Sequence, residues 1–469
     1  MLPVVRKLPE RFSIEKAFSR LCTLPRCLWL DSALQPRIDG DSADLGRYSF
    51  LTADPIRQLV AHVGDPNPWP QLEQWSHDLP ANHAAGLPPF QGGIAGVIGY
   101  ESGAWLEQIG VPENNDLPTA AMSLGLYDWT VAVDHHQGDA WIISQGITQS
   151  GSVCDDVARQ RADQFESLLK DCCDKNPSTK TVQPPERFTE GEIAAVTSNF
   201  ASQGFRDAVA DIVRRIRQGD SFQVNLAQRL IRKSDIPSPE LYLRLRIANP
   251  APFGGYYDGG DFVVLSSSPE GFLTVRDRNV QTRPIKGTIG RTGDPSEDDA
   301  LAAELKASEK DHAENVMIVD LMRNDLSRVC TDESVVVRKL CEIERYQYVQ
   351  HLVSVVEGRL RDDQSVVDLL QACFPGGSVT GAPKIEAMRT IAELEPNPRG
   401  PYCGSMGYIS CGGTADFNIL IRTITAAGGY WQIPVGGGIT ARSNPAAEEA
   451  ETWAKAEGML RALGGNNRS

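Results

Sequence analysis

Thr282-Arg283-Pro284-Ile285-Lys286-Gly287-Thr288 holds a lysine between a proline that fixes φ and a glycine that leaves the backbone free. A lysine so placed is aimed with little loss of conformational entropy. An aimed amine serves as a charge clamp or, in its neutral form, as a nucleophile. A solvated loop lysine is the third reading, and the commonest for so short a motif. The segments on either side decide among them.

The chain has 469 residues, more than one ordinary core organises, so two or more lobes are expected. Its 41% hydrophobic and 23% charged residues fit a soluble globular protein. A net charge of -15 and the lack of a long basic run argue against a nucleic-acid partner. The ten cysteines include no C-x-x-C pair, which leaves neither zinc spacing nor a disulfide framework. Reduced thiols and a cytoplasmic location are expected. Met1 to Phe12 has no apolar h-region, so no signal peptide is expected, and no run approaches the ~18 apolar residues of a membrane span.

Residues 1 to 150 read as one stretch, rich in short strands at Trp29-Leu30, Leu59 to Val63, Gly93 to Tyr100 and Trp129 to Val133. Residues 151–190 read as a helix, from about Cys154 to Cys173, followed by a linker poor in apolar residues. Residues 191–469 alternate helices and strands. Helical periods cover Phe205 to Gln218 and Asp299 to Leu326, and strands fall at Phe262 to Leu265 and Asn418 to Ile421. Pro383 opens a helix to Leu394, and Asn444-Pro445 opens the last one as N-cap and N1. With no internal repeat, the fold class is α+β.

Asp311 with Glu314, and Glu448 with Glu451, are acidic pairs three apart on predicted helices. Such pairs share a side and repel by a few tenths of a kcal/mol. Facing each other, they would offer Mg²⁺ hard oxygen ligands; otherwise they face water. Gly376 to Lys384 leads into a helix, where backbone N–H groups suit an anion, and is not a Walker loop because Ala382 stands at the lysine position. Gly436-Gly437-Gly438 lacks the Rossmann context. Both glycine loops read either as carboxylate cradles or as tight turns.

Phe90 to Gly93, Gly219 to Leu226, Ser268-Pro269-Glu270, the Pro-Ile-Lys-Gly-Thr segment, residues 311–325, Gln350 to Ser354, Gly376 to Lys384, Tyr402 to Tyr408, Ile421 to Thr423 and Gly436 to Gly438 follow one another in this order. Together they resemble the chorismate-utilising enzymes over nearly the whole chain, most densely from about 205 to 460. The resemblance implies a two-lobed fold like that of anthranilate synthase component I, with β-sheets flanked by helices. It is strongest to members that aminate chorismate at C4, on the way to para-aminobenzoate and folate. Members that make anthranilate usually carry alanine at the Lys286 position, and isochorismate-forming members a lysine at that of Gln223.

The resemblance also implies roles. Lys286 would attack C2 of chorismate, and Glu270 would protonate the departing C4 hydroxyl. Attack requires the neutral amine, favoured by desolvation or nearby positive charge. Asp311, Glu314, Glu448 and Glu451 would hold Mg²⁺. Tyr402 and Arg422 would bind the pyruvyl carboxylate, Gly436, Gly437 and Gly438 would cradle the ring carboxylate, and His351, Ser378 and Thr380 would line the cavity. Gly271 departs from the family, where arginine is frequent and would bear on how Glu270 is held. No glutaminase segment is recognisable, so a separate glutamine amidotransferase subunit is the implied ammonia source. Leu30, Ser32, Arg47, Tyr48, Ser49 and Phe50 fall in segments that resemble a tryptophan pocket or pack as ordinary strands. A non-catalytic tryptophan-binding homologue is the alternative of a different class.

Overall fold

The computed structural model describes residues 2–33, 45–173, 196–346 and 349–464. The expected linker after Cys173 lies outside the described residues. Two antiparallel sheets dominate. The first has twelve strands among the described residues: Thr197–Ser198 pairs with Gln223–Lys233 off the main path, and the other eleven run from Val4–Lys7 through Asp139–Ser144, Trp129–Asp134, Tyr48–Thr52 and Leu28–Asp31 to Phe253–Asp258. That path continues through Phe262–Ser268, Thr423–Ala427, Tyr430–Ile439 and Gln223–Lys233 to Gly381–Ala382. The second, of ten strands, runs from Ile285–Gly290 through Val349–Arg359, Asn279–Thr282, Gly271–Arg276 and Ala415–Asn418. Ser405–Ser410, Gly93–Ile98, Met122–Tyr127 and Arg57–Ala61 complete that path.

Both sheets draw strands from both ends of the chain. Leu28–Asp31 pairs with Phe253–Asp258, bringing Trp29 opposite Tyr256. Gly93–Ile98 pairs with Ser405–Ser410, bringing Val97 opposite Met406. The sheets pack face to face over Leu28, Phe50, Val97, Val264, Met406 and Tyr408. Helices cover the outer faces. Ile14–Leu21, Asp155–Leu169, Ser238–Ala248 and Pro445–Leu463 bury their apolar sides on the first sheet, and Trp69–His77, Glu309–Ser327 and Val366–Cys373 on the second. Each fully buried Leu or Phe there contributes about 1.5–3 kcal/mol.

Local sequence explains the helix ends. Asn444 accepts from the Ala446 and Ala447 N–H groups, with Pro445 following. Gly219, at φ +94°, ends Ser202–Gln218. Two expectations change. The helical period from Asp299 to Leu326 breaks at Ser308, giving Pro295–Ala307 and Glu309–Ser327, because Ser308 turns extended and its hydroxyl caps the Asp311 N–H. The strand expected at Asn418 to Ile421 instead spans Ala415–Asn418. It stops where the Asn418 side chain accepts from Met406 N–H and donates to the Phe253 carbonyl.

Candidate active site

Lys286 lies on Ile285–Gly290, an end strand of the second sheet paired with Val349–Arg359. The pairing slips between Lys286 and Thr288, and Gly287 in the gap has φ +74°. Such a bulge bends the strand and re-aims its side chains. A Cβ at Gly287 would stand 2.7 Å from Leu305 Cδ1 and 3.0 Å from Asp311 Cγ, so both conformation and space demand glycine.

Lys286 Nζ donates to the Ser378 carbonyl at 3.2 Å. The Ser378 side chain acts on the Glu270 carboxyl, favouring its charged form. Burial raises the Glu270 pKa; Ser378, the Lys286 charge and the Ile285 N–H only partly offset it. A carboxyl held toward its protonated form is suited to donate a proton. Its main chain is fixed too: Glu270 N–H donates to Ser268 Oγ at 3.2 Å, and its carbonyl accepts from Ile419 N–H at 3.0 Å. At Gly271, a Cβ would come within 2.9 Å of the Phe253 ring, so an aromatic ring fills the space beside it.

A second group gathers over the glycine strand. A Cβ at Gly437 would lie 3.6 Å from Glu448 Oε2, 3.7 Å from Glu451 Oε1 and 3.4 Å from Lys455 Nζ. Lys455 donates to Glu451 Oε1 at 2.7 Å and to the Gly436 carbonyl at 2.9 Å. Burial lowers the Lys455 pKa against the pull of Glu451, and the Lys286 and Arg422 charges lower it further. Glu451 is raised by burial, but Lys455 and the other lysines outweigh that and lower it. Across from these, burial raises Glu314, with Lys286 and Lys310 opposing and Asp311 and Glu448 reinforcing.

The donors are carboxylate oxygens, the type Mg²⁺ selects. Glu314 Oε1 is buried without a hydrogen-bond partner, an acceptor that a cation would satisfy. Among the described residues, no three Asp, Glu, His or Cys side chains are placed to hold an ion as they stand. Lys310, 3.9 Å from Glu314, and Lys455 neutralise these carboxylates in this arrangement. Asp311 is engaged by its own helix start: Ser308 Oγ donates to its Oδ2 at 2.6 Å.

Arg422, at φ +52°, donates to the Lys455 carbonyl. Burial lowers its pKa, with Tyr402 and Glu451 opposing. Tyr402 is buried, and its phenol is pushed well up by desolvation. His351 Nδ1 shares a hydrogen bond with Thr288 Oγ1 at 2.8 Å, and burial lowers its pKa to about 4. Its ring is therefore neutral near pH 7. Thr380 donates to the Gly376 and Gly377 carbonyls at 3.1 and 3.4 Å, which binds its hydroxyl into its own loop. A Cβ at Gly438 would fall 2.2 Å from Gln223 Nε2, and both ends of that buried amide lack a partner.

Elsewhere, a cavity of about 870 Å³ lies between the sheets. Leu30, Ser32, Arg47, Tyr48 and Phe50 line it, and Gly271 reaches its edge. Ser49 does not line it: its hydroxyl donates to Asp31 Oδ1 at 3.3 Å and meets His135 Nε2 at 2.7 Å.

Sequence reasoning missed Lys455, Lys310 and the buried pair Arg399–Glu395. Lys455 follows Glu451 by four residues, a helical ion-pair spacing visible in the sequence. Arg399 follows Glu395 by the same four residues, but Pro396 and Pro398 between them rule out a helix, so the spacing does not read as a helical ion pair.

A family described as "chorismate binding enzyme" matches residues 26–461. Aminodeoxychorismate synthase component 1 of Escherichia coli (strain K12) is 36% identical over 479 residues, covering 98% of each chain. Anthranilate synthase component 1 of Streptomyces coelicolor is 36% identical over 473 residues, covering 97% of this chain and 87% of its own. Among solved structures, anthranilate synthase component I from Streptococcus pneumoniae TIGR4 superposes with a TM-score of 0.77 at 31% identity, covering 90% of this chain and 94% of its own.

Proposed function

The chain belongs to the chorismate-binding enzyme family, and on that premise we propose that it aminates chorismate at C4, giving 4-amino-4-deoxychorismate. The observation that carries this reading is Lys286 itself. Its amine shares Ser378 with the Glu270 carboxyl and acts electrostatically on Glu314 and Glu451. A lysine here distinguishes the reading from anthranilate formation, since members of that group usually carry alanine.

Lys286 adds through Nζ to C2. The two ring double bonds shift, and the C4 hydroxyl departs as water with the proton of Glu270. Ammonia then adds at C4, the double bonds shift back, and the lysine amine leaves C2. The net change is ammonia in and water out. Two displacements, one of them acid-assisted, replace direct expulsion of hydroxide. Tyr402 and Arg422 orient the pyruvyl carboxylate, and backbone N–H groups of Gly436 to Gly438 orient the ring carboxylate. Neutral His351 and the Ser378–Thr380 loop close the pocket.

Glu314, Glu448 and Glu451, with Asp311 beside them, would hold Mg²⁺. A bound Mg²⁺ would draw electron density from the ring carboxylate as a Lewis acid. Ammonia would come from a separate glutamine amidotransferase subunit, in keeping with relatives named as "component 1".

Incubating the chain with chorismate, Mg²⁺ and ammonium chloride, and separating the products by chromatography, tests the reading. 4-Amino-4-deoxychorismate is expected. Anthranilate as the main product would transfer the assignment to the second reading, which the 36% identity to a Streptomyces anthranilate synthase component 1 supports. The 870 Å³ cavity supports an added proposal that Leu30, Ser32, Arg47, Tyr48 and Phe50 bind tryptophan. Calorimetric titration with the amino acid checks it.

A further inference from the structure

Arg399 is a buried guanidinium that spends four of its five N–H donors on three parts of the site. Its Nε and Nη2 form a two-point pair with Glu395 at 2.8 and 2.6 Å, and both side chains are at most 4% exposed. Nη1 donates to the Val379 carbonyl at 3.0 Å. Val379 follows Ser378, whose carbonyl accepts from the Lys286 amine and whose side chain lowers the Glu270 pKa. Nη2 also donates to the Asn225 carbonyl at 2.7 Å, and Asn225 is the partner of Gly438 across the sheet. Glu395 Oε1 accepts the Ala227 N–H at 2.8 Å, and Ala227 is the partner of Gly436. The guanidinium also lies 5.9 Å from the centre of the Tyr402 ring and 4.5 Å from that of Tyr100. From the opposite side, Glu101 accepts the Arg399 and Gly400 N–H groups at 2.7 and 2.9 Å.

We propose that Arg399, locked to Glu395, is a positioning residue for the reaction, holding the Ser378 loop and the glycine strand in one fixed relation. The inference rests on the proposed chemistry at Lys286 and Glu270. Arg399 cannot meet substrate from its buried place, and it acts through Val379 and Ser378. A planar fork with donors on both arms satisfies Glu395, Val379 and Asn225 together. An ammonium on a flexible stem cannot span the same three acceptors. Fixed placement of reacting groups is the property that small displacements damage most.

The test measures Arg399→Lys beside the wild-type chain, with chorismate, Mg²⁺ and ammonium chloride, after circular dichroism has established the folded fraction. The expected result is a kcat at least tenfold lower per folded molecule, with KM for chorismate within about threefold of wild type. A purely structural role would lower the melting temperature and leave kcat per folded molecule unchanged, and that outcome overturns the proposal. If Arg399→Lys does not fold, the double variant Glu395→Gln with Arg399→Gln removes both buried charges at once, and a wild-type kcat there overturns it equally. Loss of fold in both variants would make the pair a stability element alone and also overturn it. A wild-type chain that leaves chorismate untouched defeats the underlying reading. Wild-type turnover with unchanged variants defeats this inference only.

Discussion

Lys286 Nζ donates to the carbonyl oxygen of Ser378 at 3.2 Å, and the side chain of that same Ser378 acts on the carboxyl of Glu270, lowering its pKa. One residue thus ties an amine from one strand to a carboxyl that lies between two others. The backbone end of Ser378 orients the amine and the side-chain end orients the acid. The two groups therefore keep their separation even though no hydrogen bond joins them directly.

Replacing Lys286 by alanine leaves a methyl group where the covalent bond would form. Lys286→Ala is expected to abolish the adduct and to lower kcat on the order of 10³-fold or more, as removal of a covalent nucleophile does. Intact-protein mass spectrometry of chains incubated with chorismate, without a nitrogen donor, reads the adduct. Wild type should gain mass and Lys286→Ala should not. Unchanged turnover in the variant would show that ammonia adds without the lysine.

Glu270 must be protonated to assist departure of the hydroxyl, and burial raises its pKa. The protonated fraction of Glu270 is therefore complete at low pH and falls as pH rises through that pKa. The Ser378 side chain lowers that pKa. Ser378→Ala removes that influence while keeping the carbonyl that meets Lys286, so the falling limb of the Glu270 titration should move to higher pH. Infrared difference titration of the protonated-carboxyl band, each chain against its Glu270→Gln counterpart, follows the limb directly. A limb that stays put would separate Ser378 from Glu270.

Much of this arrangement was legible before any fold was known, because the chemistry needs local motifs. The Pro284–Gly287 frame around Lys286 and the Asn444-Pro445 helix start are short-range signals, and both appear as read. What escaped is what depends on contacts distant in sequence. The pairing of Leu28–Asp31 with Phe253–Asp258 joins segments more than 200 residues apart, and nothing in either strand announces its partner. Ser308 was legible in principle: a serine three residues before an aspartate is a capping signal, here hidden inside a long helical period. Arg399 was not legible, since its four donors go to residues spread over three elements.

His351 links the site to stability. Burial lowers its pKa to about 4, against about 6.5 when unfolded. Between those values the unfolded chain binds the proton and the folded chain does not. The contribution is therefore complete above pH 6.5 and is lost as pH falls toward 4, by about 3 kcal/mol at most. His351→Gln keeps an acceptor for Thr288 and removes the titration. Urea unfolding at several pH values should show wild type losing more stability than the variant between pH 6.5 and 4. Equal losses would mean that His351 already titrates normally in the folded chain.

The acidic residues around Lys286 divide by what already engages them. Asp311 accepts a hydrogen bond from Ser308 at 2.6 Å and belongs to its helix start, whereas Glu314 Oε1 is buried with no hydrogen-bond partner, its ion-pair partner Lys310 standing 3.9 Å away. If Mg²⁺ is held here, Glu314 has a free oxygen to offer and Asp311 has less. Glu314→Gln replaces an anionic ligand by a neutral one and should raise the Mg²⁺ concentration for half-maximal turnover by about tenfold or more, the low end of what losing a metal-binding partner costs. Asp311→Asn should move that concentration much less and lower the melting temperature instead, since it weakens the Ser308 cap, by about 1 kcal/mol. Metal titrations of both variants beside wild type decide the matter: equal shifts would place both carboxylates on the ion, and no shift in either would remove this cluster from metal binding.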